Sequence, residues 1–164
     1  MPRPDWSDRP TTAWVGGDWF HVVESPADEW IAAMERQTEF RNAVVAALQA
    51  LKADLGCIDA HLFVARHARA DHGCYGHLVK AVETGKALWQ SFARKQGDFA
   101  WWGVTATRPY MRAVKALGDW HVERGDHMTA RRLYEQLLEM HPADGLGVRN
   151  SLEELSSEIG GLRR

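Results

Sequence analysis

The sequence predicts an all-α fold, a stack of paired helices behind a Trp-rich N-terminal arm. Three observations carry this expectation. Apolar residues recur at three- and four-residue spacing through most of the chain from Ser25 onward, the period of a helix face. Gly56, Gly97, Gly125, Pro142 and Gly160 fall where those runs stop, as helix terminators do. Small and aromatic residues alternate in 111–144 at offsets that suit two helices in close contact.

Residues 1–24 stand apart from the rest. They hold Trp6, Trp14 and Trp19 and three of the six Pro. Gly16-Gly17 between Trp14-Val15 and Trp19-Phe20 is compatible with a short hairpin. An irregular arm is preferred, because a lone hairpin is only marginally stable in water. Ser25-Pro26-Ala27-Asp28 starts a helix: Ser caps, Pro suits the first turn, and Asp favours the positive end of the helix dipole. No Pro or Gly then interrupts until Gly56, and Phe40, Val44, Leu48, Leu51 and Leu55 form one apolar stripe, predicted to face the core. Glu35-Arg36-Gln37-Thr38 offers a division into two helices, with Thr38 capping the second.

Ile58, Leu62 and Ala65 carry a shorter helix. Ala68–Gly76 reads as a loop, with Asp71, His72 and two Gly. Leu78, Val82, Gly85, Trp89 and Phe92 form the next stripe. Residues 98–108 are a linker, and Trp101-Trp102 within it are expected to be core residues that pin it. Pro109 opens a helix whose Ala113, Leu117, Trp120 and His121 share a face. Ala130, Tyr134 and Leu137 mark the next, and Val148, Leu152, Leu155 and Ile159 the last. The domain organisation that follows is an arm at 1–24 and one helical-repeat domain at 25–164. Its best repeat is 111–144, a degenerate copy lies at about 58–90, and a capping helix at about 145–159.

Composition narrows the function. A net charge of −2, from 20 Lys plus Arg against 22 Asp plus Glu, argues against a general nucleic-acid binder. A 45% hydrophobic chain of 164 residues has the composition of one globular domain and the length to bury a core without metal or disulfides. No apolar run reaches the ~18–20 residues of a membrane span. No secretory signal is seen at the start, and Cys57 and Cys74 make no disulfide framework, so a reduced, cytoplasmic protein is expected. A single Cys57–Cys74 disulfide is the minority alternative.

The repeat signal is the most informative motif. Leu117-Gly118, Gly125, Ala130, Tyr134 and Pro142 match the order of a tetratricopeptide repeat of ~34 residues. Gly118 and Ala130 let two antiparallel helices approach, Gly125 turns the chain, Tyr134 fills the space left and Pro142 stops the second helix. His121 and Leu137 depart from the usual Tyr and Ala. Cys74, Leu78 and Ala81 repeat the spacing of Ala130, Tyr134 and Leu137. Thr107-Arg108-Pro109-Tyr110-Met111-Arg112-Ala113, with Trp101-Trp102-Gly103 before it, Tyr134-Glu135-Gln136-Leu137-Leu138 and His141-Pro142-Ala143-Asp144-Gly145-Leu146-Gly147-Val148-Arg149, resembles a bacterial tetratricopeptide-like group similar to the suppressor-of-tumorigenicity-7 family. The strong match covers about residues 100–150, with a weaker extension back to about 58. His141 replaces the usual Asn, and Gly145-Leu146 replace a polar pair. The resemblance implies a helical scaffold and no reaction.

Arg112, Lys115, Asp119 and Val122 follow one helix face, the face that lines the groove in tetratricopeptide arrays. They are the expected contacts to a peptide or partner protein, with Arg and Lys suited to an acidic peptide or a C-terminal carboxylate. Arg108, Arg112 and Lys115 also fall three or four apart on one face; the competing reading is a solvated charged face, with Arg149 and Arg112 tied to Glu or Asp at the packing of the last helix. His67, His72, Cys74 and His77 bear metal-ligating side chains within eleven residues, the basis of an alternative metal-binding or redox-responsive function. Their spacing matches no zinc module, and a polar inter-helix loop is preferred. No nucleophile elbow, phosphate loop or HExxH pair is present, so no enzyme, cofactor or metal is expected. The expected role is a non-enzymatic interaction scaffold, with no nucleic-acid or membrane partner. Because two repeats rarely bury their own faces, a homodimer through the Val148–Ile159 stripe is the alternative to capping by the end helices.

Overall fold

The computed structural model describes residues 12–15, 18–21, 25–37, 39–68, 71–96 and 99–161. Among these are a two-stranded hairpin, β1 (Thr12–Val15) and β2 (Asp18–His21), and seven helices. The helices are α1 (Asp28–Arg36), α2 (Phe40–Ala53), α3 (Ile58–His67), α4 (Asp71–Gln96), α5 (Arg108–Glu123), α6 (His127–Met140) and α7 (Val148–Gly161). The strands pair antiparallel, Trp14 opposite Trp19 and Val15 opposite Asp18, so the described part of residues 1–24 is a hairpin and not an irregular arm. That register leaves two residues, both Gly in the sequence, between the strands, the loop length that suits a tight hairpin. Trp6 lies outside the described residues.

Successive helices run antiparallel. Tyr75 meets Trp120 and Arg124 meets Asp71, so α4 lies against α5 in reverse. Gln136 reaches Tyr110, and Tyr134 reaches Asp119, so α6 reverses again. The main core gathers Ile58, Ala81, Tyr110, Met111, Val114, Tyr134, Leu137, Val148 and Leu155 between α3 and α7. Tyr134 lies over Gly118 as the repeat spacing predicts: a Cβ there would stand 2.6 Å from the ring. A second contact of this kind joins Gly85 on α4 to Tyr110 on α5, where a Cβ would stand 2.2 Å from the ring. Gly125 turns α5 into α6 at φ +75°, and the Asp126 carboxylate accepts the Thr129 N–H to cap α6. The Asp144 carboxylate accepts the Val148 and Arg149 N–H groups at the start of α7. The linker before α5 is pinned by Thr107, whose buried hydroxyl donates to the Trp101 and Val104 carbonyls. Trp101 packs against Phe99 and Tyr110, and Trp102 stacks on His141 at 5.3 Å, so both Trp brace the linker, half-buried.

Several local expectations change. Helix α1 begins at Asp28, not at Pro26 behind a Ser25 cap; the Ser25 hydroxyl accepts the Ala27 N–H and donates to Asp54 after α2. The break between α1 and α2 falls where the polar stretch suggests, with Glu39 before the first residue of α2 and Thr38 outside the described residues. The segment expected as a loop to Gly76 is instead helical from Asp71: Gly73 and Gly76, in the first two turns of a 26-residue helix, cost about 1 kcal/mol each, which the long helix tolerates. The largest change concerns α2. Its buried face is Ala43, Ala46, Ala47 and Ala50, while Phe40 and Leu48 are 59% and 53% exposed, and Leu55 just beyond it is 63% exposed. The small alanines let α2 approach α1 and α3 closely; of the predicted stripe only Leu51 packs against that core, Val44 is half-buried, and Phe40, Leu48 and Leu55 are left outside. The last stripe is spent internally: Val148 and Leu155 are buried in the main core and Leu152 packs against it. These three are therefore not free to form a dimer surface, and the Ile159 side chain lies outside the described residues.

Candidate functional site

A groove of about 500 Å³ runs across the first helices of the successive pairs. Met34 and Glu35 of α1, Asp59, Leu62, Phe63 and Arg66 of α3, and Arg112, Lys115, Ala116, Asp119 and Trp120 of α5 line it, with Cys74 and Leu78 of α4 in its floor. The geometry follows from helix pairing. The second helices pack behind the first, so a face of α1, α3 and α5 is left uncovered on one side.

Arg112, Lys115 and Asp119 come together in this groove, as their spacing on one helix face implies. Val122 does not join them; it packs against the main core. The cations are already partnered. Arg112 donates to Asp59 at 3.1 Å, and Lys115 donates to Asp119 at 2.9 Å. Asp119 also accepts the Tyr134 hydroxyl at 2.6 Å, which ties the groove wall to the Gly118 contact behind it. Burial first, and then that neighbour, push the Tyr134 phenol up. Asp59 is pulled up by its withdrawal from water, and Arg112 offsets only part of that. The site is thus a mixed-charge rim over an apolar floor rather than a purely basic trough. Arg108 lies elsewhere, donating to the Trp102 carbonyl with its guanidinium 5.1 Å from that ring, and Arg149 donates to the Pro142 carbonyl at 2.5 Å.

Sequence reasoning missed Glu35, Asp59, Phe63, Arg66 and Trp120 as groove residues. They sit on three helices, and no pattern within one helix reports which faces converge. Trp120 is held between Tyr75, at 4.5 Å, and the Arg124 guanidinium, at 3.9 Å. Its Nε1–H is buried and has no hydrogen-bond partner among the described residues.

The four His and Cys of the metal reading are dispersed. His67 packs edge-on against Phe40 at 4.7 Å, Cys74 faces the groove, and His77 pairs with His61. His72 stands exposed in the first turn of α4. No group of three or more His, Cys, Asp or Glu side chains placed to hold a metal ion occurs among the described residues. Cys57 and Cys74 are free thiols, and burial pushes Cys57 up to about 12, away from reactivity.

The His61–His77 contact has a fixed proton logic. The Leu55 carbonyl can only accept, so His61 Nε2–H donates to it at 2.9 Å. Neutral His61 then offers Nδ1 as acceptor, and His77 Nδ1–H donates across 2.8 Å. Burial first, then His77 and Lys80, hold His61 below its ordinary value of 6.5, against the Leu55 carbonyl and Asp54. Above that value both folded and unfolded chains carry neutral His61, and it has no effect on stability. As pH falls through 6.5 the unfolded chain takes up the proton first, so stability drops and levels off below the folded value. Urea midpoints between about pH 7.5 and pH 5 should therefore fall less steeply in His61→Gln, which removes the titration while keeping a donor for Leu55. Equal slopes in the two proteins would refute this.

No protein-family model and no curated protein matches the chain.

Proposed function

We propose that the chain is a non-enzymatic interaction scaffold of tetratricopeptide type, holding a peptide segment or partner helix in the α1–α3–α5 groove. The single observation behind this reading is that first helices of successive pairs line one groove containing Arg112, Lys115 and Asp119. It also supports stacking of α1–α2, α3–α4 and α5–α6 as three repeat-like pairs with α7 as a cap. The ligand chemistry follows from the lining. Leu62, Leu78 and Ala116 accept an apolar side chain, and Phe63 and Trp120 flank it. The Arg112–Asp59 and Lys115–Asp119 pairs can exchange partners with a ligand bearing both charges, which suits an amphipathic segment better than the uniformly acidic peptide expected from α5 alone.

A random-peptide display selection on the purified protein tests this. Selected peptides should lose binding at least about tenfold to Ala116→Trp, which fills the groove from a half-buried position beside Leu78. Arg112→Glu should weaken them by a similar factor, because it sets a third carboxylate beside Asp59 and Glu35. Peptides that bind both variants as well as wild type would remove the groove from consideration. Thermal melts of both variants control for folding.

A further inference from the structure

His61 and His77 meet where α3 packs on α4, and the groove uses neither. Their Nδ1 atoms stand 2.8 Å apart, and the rings are tilted by 45° with centroids 5.1 Å apart. His61 is held from its other side. Its Nε2–H donates to the Leu55 carbonyl at 2.9 Å, so the lone pair on Nδ1 is aimed at His77. A histidine whose second ring N–H is given to a backbone carbonyl is oriented as metal-ligating histidines are. The anchor is stiff. Leu55 lies in the turn between α2 and α3, and the Asp54 carboxylate closes that turn by accepting the Gly56 N–H and the Ser25 hydroxyl, each at 2.8 Å. His61 is buried, whereas His77 is half-buried, so the pair opens to solvent through His77.

We propose that the His61–His77 pair binds a divalent ion of tetragonal preference, Ni²⁺ or Cu²⁺, with the two Nδ1 atoms in adjacent coordination positions and water in the others. The separation selects the ion. At metal–nitrogen bonds of about 2.0–2.1 Å, nitrogens 2.8 Å apart subtend about 85–90° at the metal. That is the angle between neighbouring ligands of a square-planar or octahedral ion. Tetrahedral Zn²⁺ needs the two nitrogens about 3.3 Å apart, and its structural sites take four protein ligands. No third His, Cys, Asp or Glu side chain completes such a set among the described residues. Binding replaces the hydrogen bond between the rings. The proton that His77 carries on Nδ1 passes to its own Nε2, so both rings stay neutral and no net proton is released. Asp54 favours positive charge at this point, and Lys80, one turn beyond His77 on α4, opposes it. With water in the remaining positions the ion exchanges, and the fold is complete without it. The inference does not rest on the groove.

The full chain, free of any affinity tag and stripped with a chelator, is titrated by calorimetry with Ni²⁺, Cu²⁺ or Zn²⁺ alone. One equivalent of Ni²⁺ should bind at least about tenfold more tightly than Zn²⁺. One equivalent of Cu²⁺ should give an electron paramagnetic resonance spectrum split by two ring nitrogens. His77→Gln, at a half-buried position, should weaken Ni²⁺ binding at least about tenfold while the metal-free protein still melts cooperatively. His61→Gln should weaken it equally; if that variant does not fold, His77→Gln decides alone. His72→Gln removes an exposed imidazole one turn away on α4 and should bind as wild type does. Ni²⁺ that binds His77→Gln as tightly as wild type, or that loads several equal weak sites, is adventitious binding to surface imidazoles and would overturn the proposal. Zn²⁺ bound as tightly as Ni²⁺ would overturn the adjacent-position geometry on which it stands.

Discussion

Gly85→Ala should destabilise the fold by about 3 kcal/mol or more, although the same change elsewhere in α4 should stabilise it. A Cβ at Gly85 would stand 2.2, 2.5 and 2.7 Å from Cδ2, Cγ and Cβ of Tyr110. Those atoms lie at the root of the side chain, so rotating the ring does not relieve the clash. Tyr110 is 1% exposed and its hydroxyl accepts from Gln136, so it has no other place to go. The helices α4 and α5 must separate, and the contacts of Ala81 and Val114 in the same core loosen with them. Gly76 provides the internal control. Nothing lies within 4 Å of a Cβ there, and the position is exposed within the helix. Gly76→Ala should therefore add about 0.5–1 kcal/mol through helix propensity alone. Urea unfolding followed by circular dichroism reads both changes. A Gly85→Ala protein as stable as wild type would mean that α4 and α5 do not pack at this distance.

Ala47→Leu should cost about 2–3 kcal/mol, while Leu48→Gln, one residue on, should leave the stability of dilute protein within about 0.5 kcal/mol of wild type. Ala47 is 0% exposed, and so is Ala50 one turn later. Both lie where α2 meets its neighbours, and Ala50 packs with Ala27, Cys57 and Ala60, so added methyl groups push whole helices apart rather than one flexible side chain. Leu48 is 53% exposed and loses little on becoming polar. Chemical denaturation separates the two. The reverse ranking would return the leucine stripe to the core.

Those two helices show where a one-dimensional reading holds and where it fails. The existence of the helices, their approximate order and the close contact in 111–144 were legible, because helical period, Gly and Pro punctuation and a Gly opposite a Tyr are local properties of the chain. Gly118 against Tyr134 is a case in which spacing alone predicted a contact. Arg112, Lys115 and Asp119 were likewise legible as neighbours, since they share a face of one helix. Val122 was not, because a helix face is wide and its edge turns toward the core.

What the residues could not report is which of two faces is turned inward. Helix α2 has an alanine face and a face bearing Phe40, Val45 and Leu48, and hydrophobicity favours burying the larger side chains. Burial of the alanines prevails because three helices meet there, and only small side chains let their backbones approach. The same reasoning covers the groove. Asp59 pairs with Arg112 across 53 residues, and Glu35, Phe63 and Trp120 reach one cavity from three helices. Local periodicity sets each helix and its faces; the order in which faces are covered is a property of the packed assembly, because close packing is a competition among all elements at once.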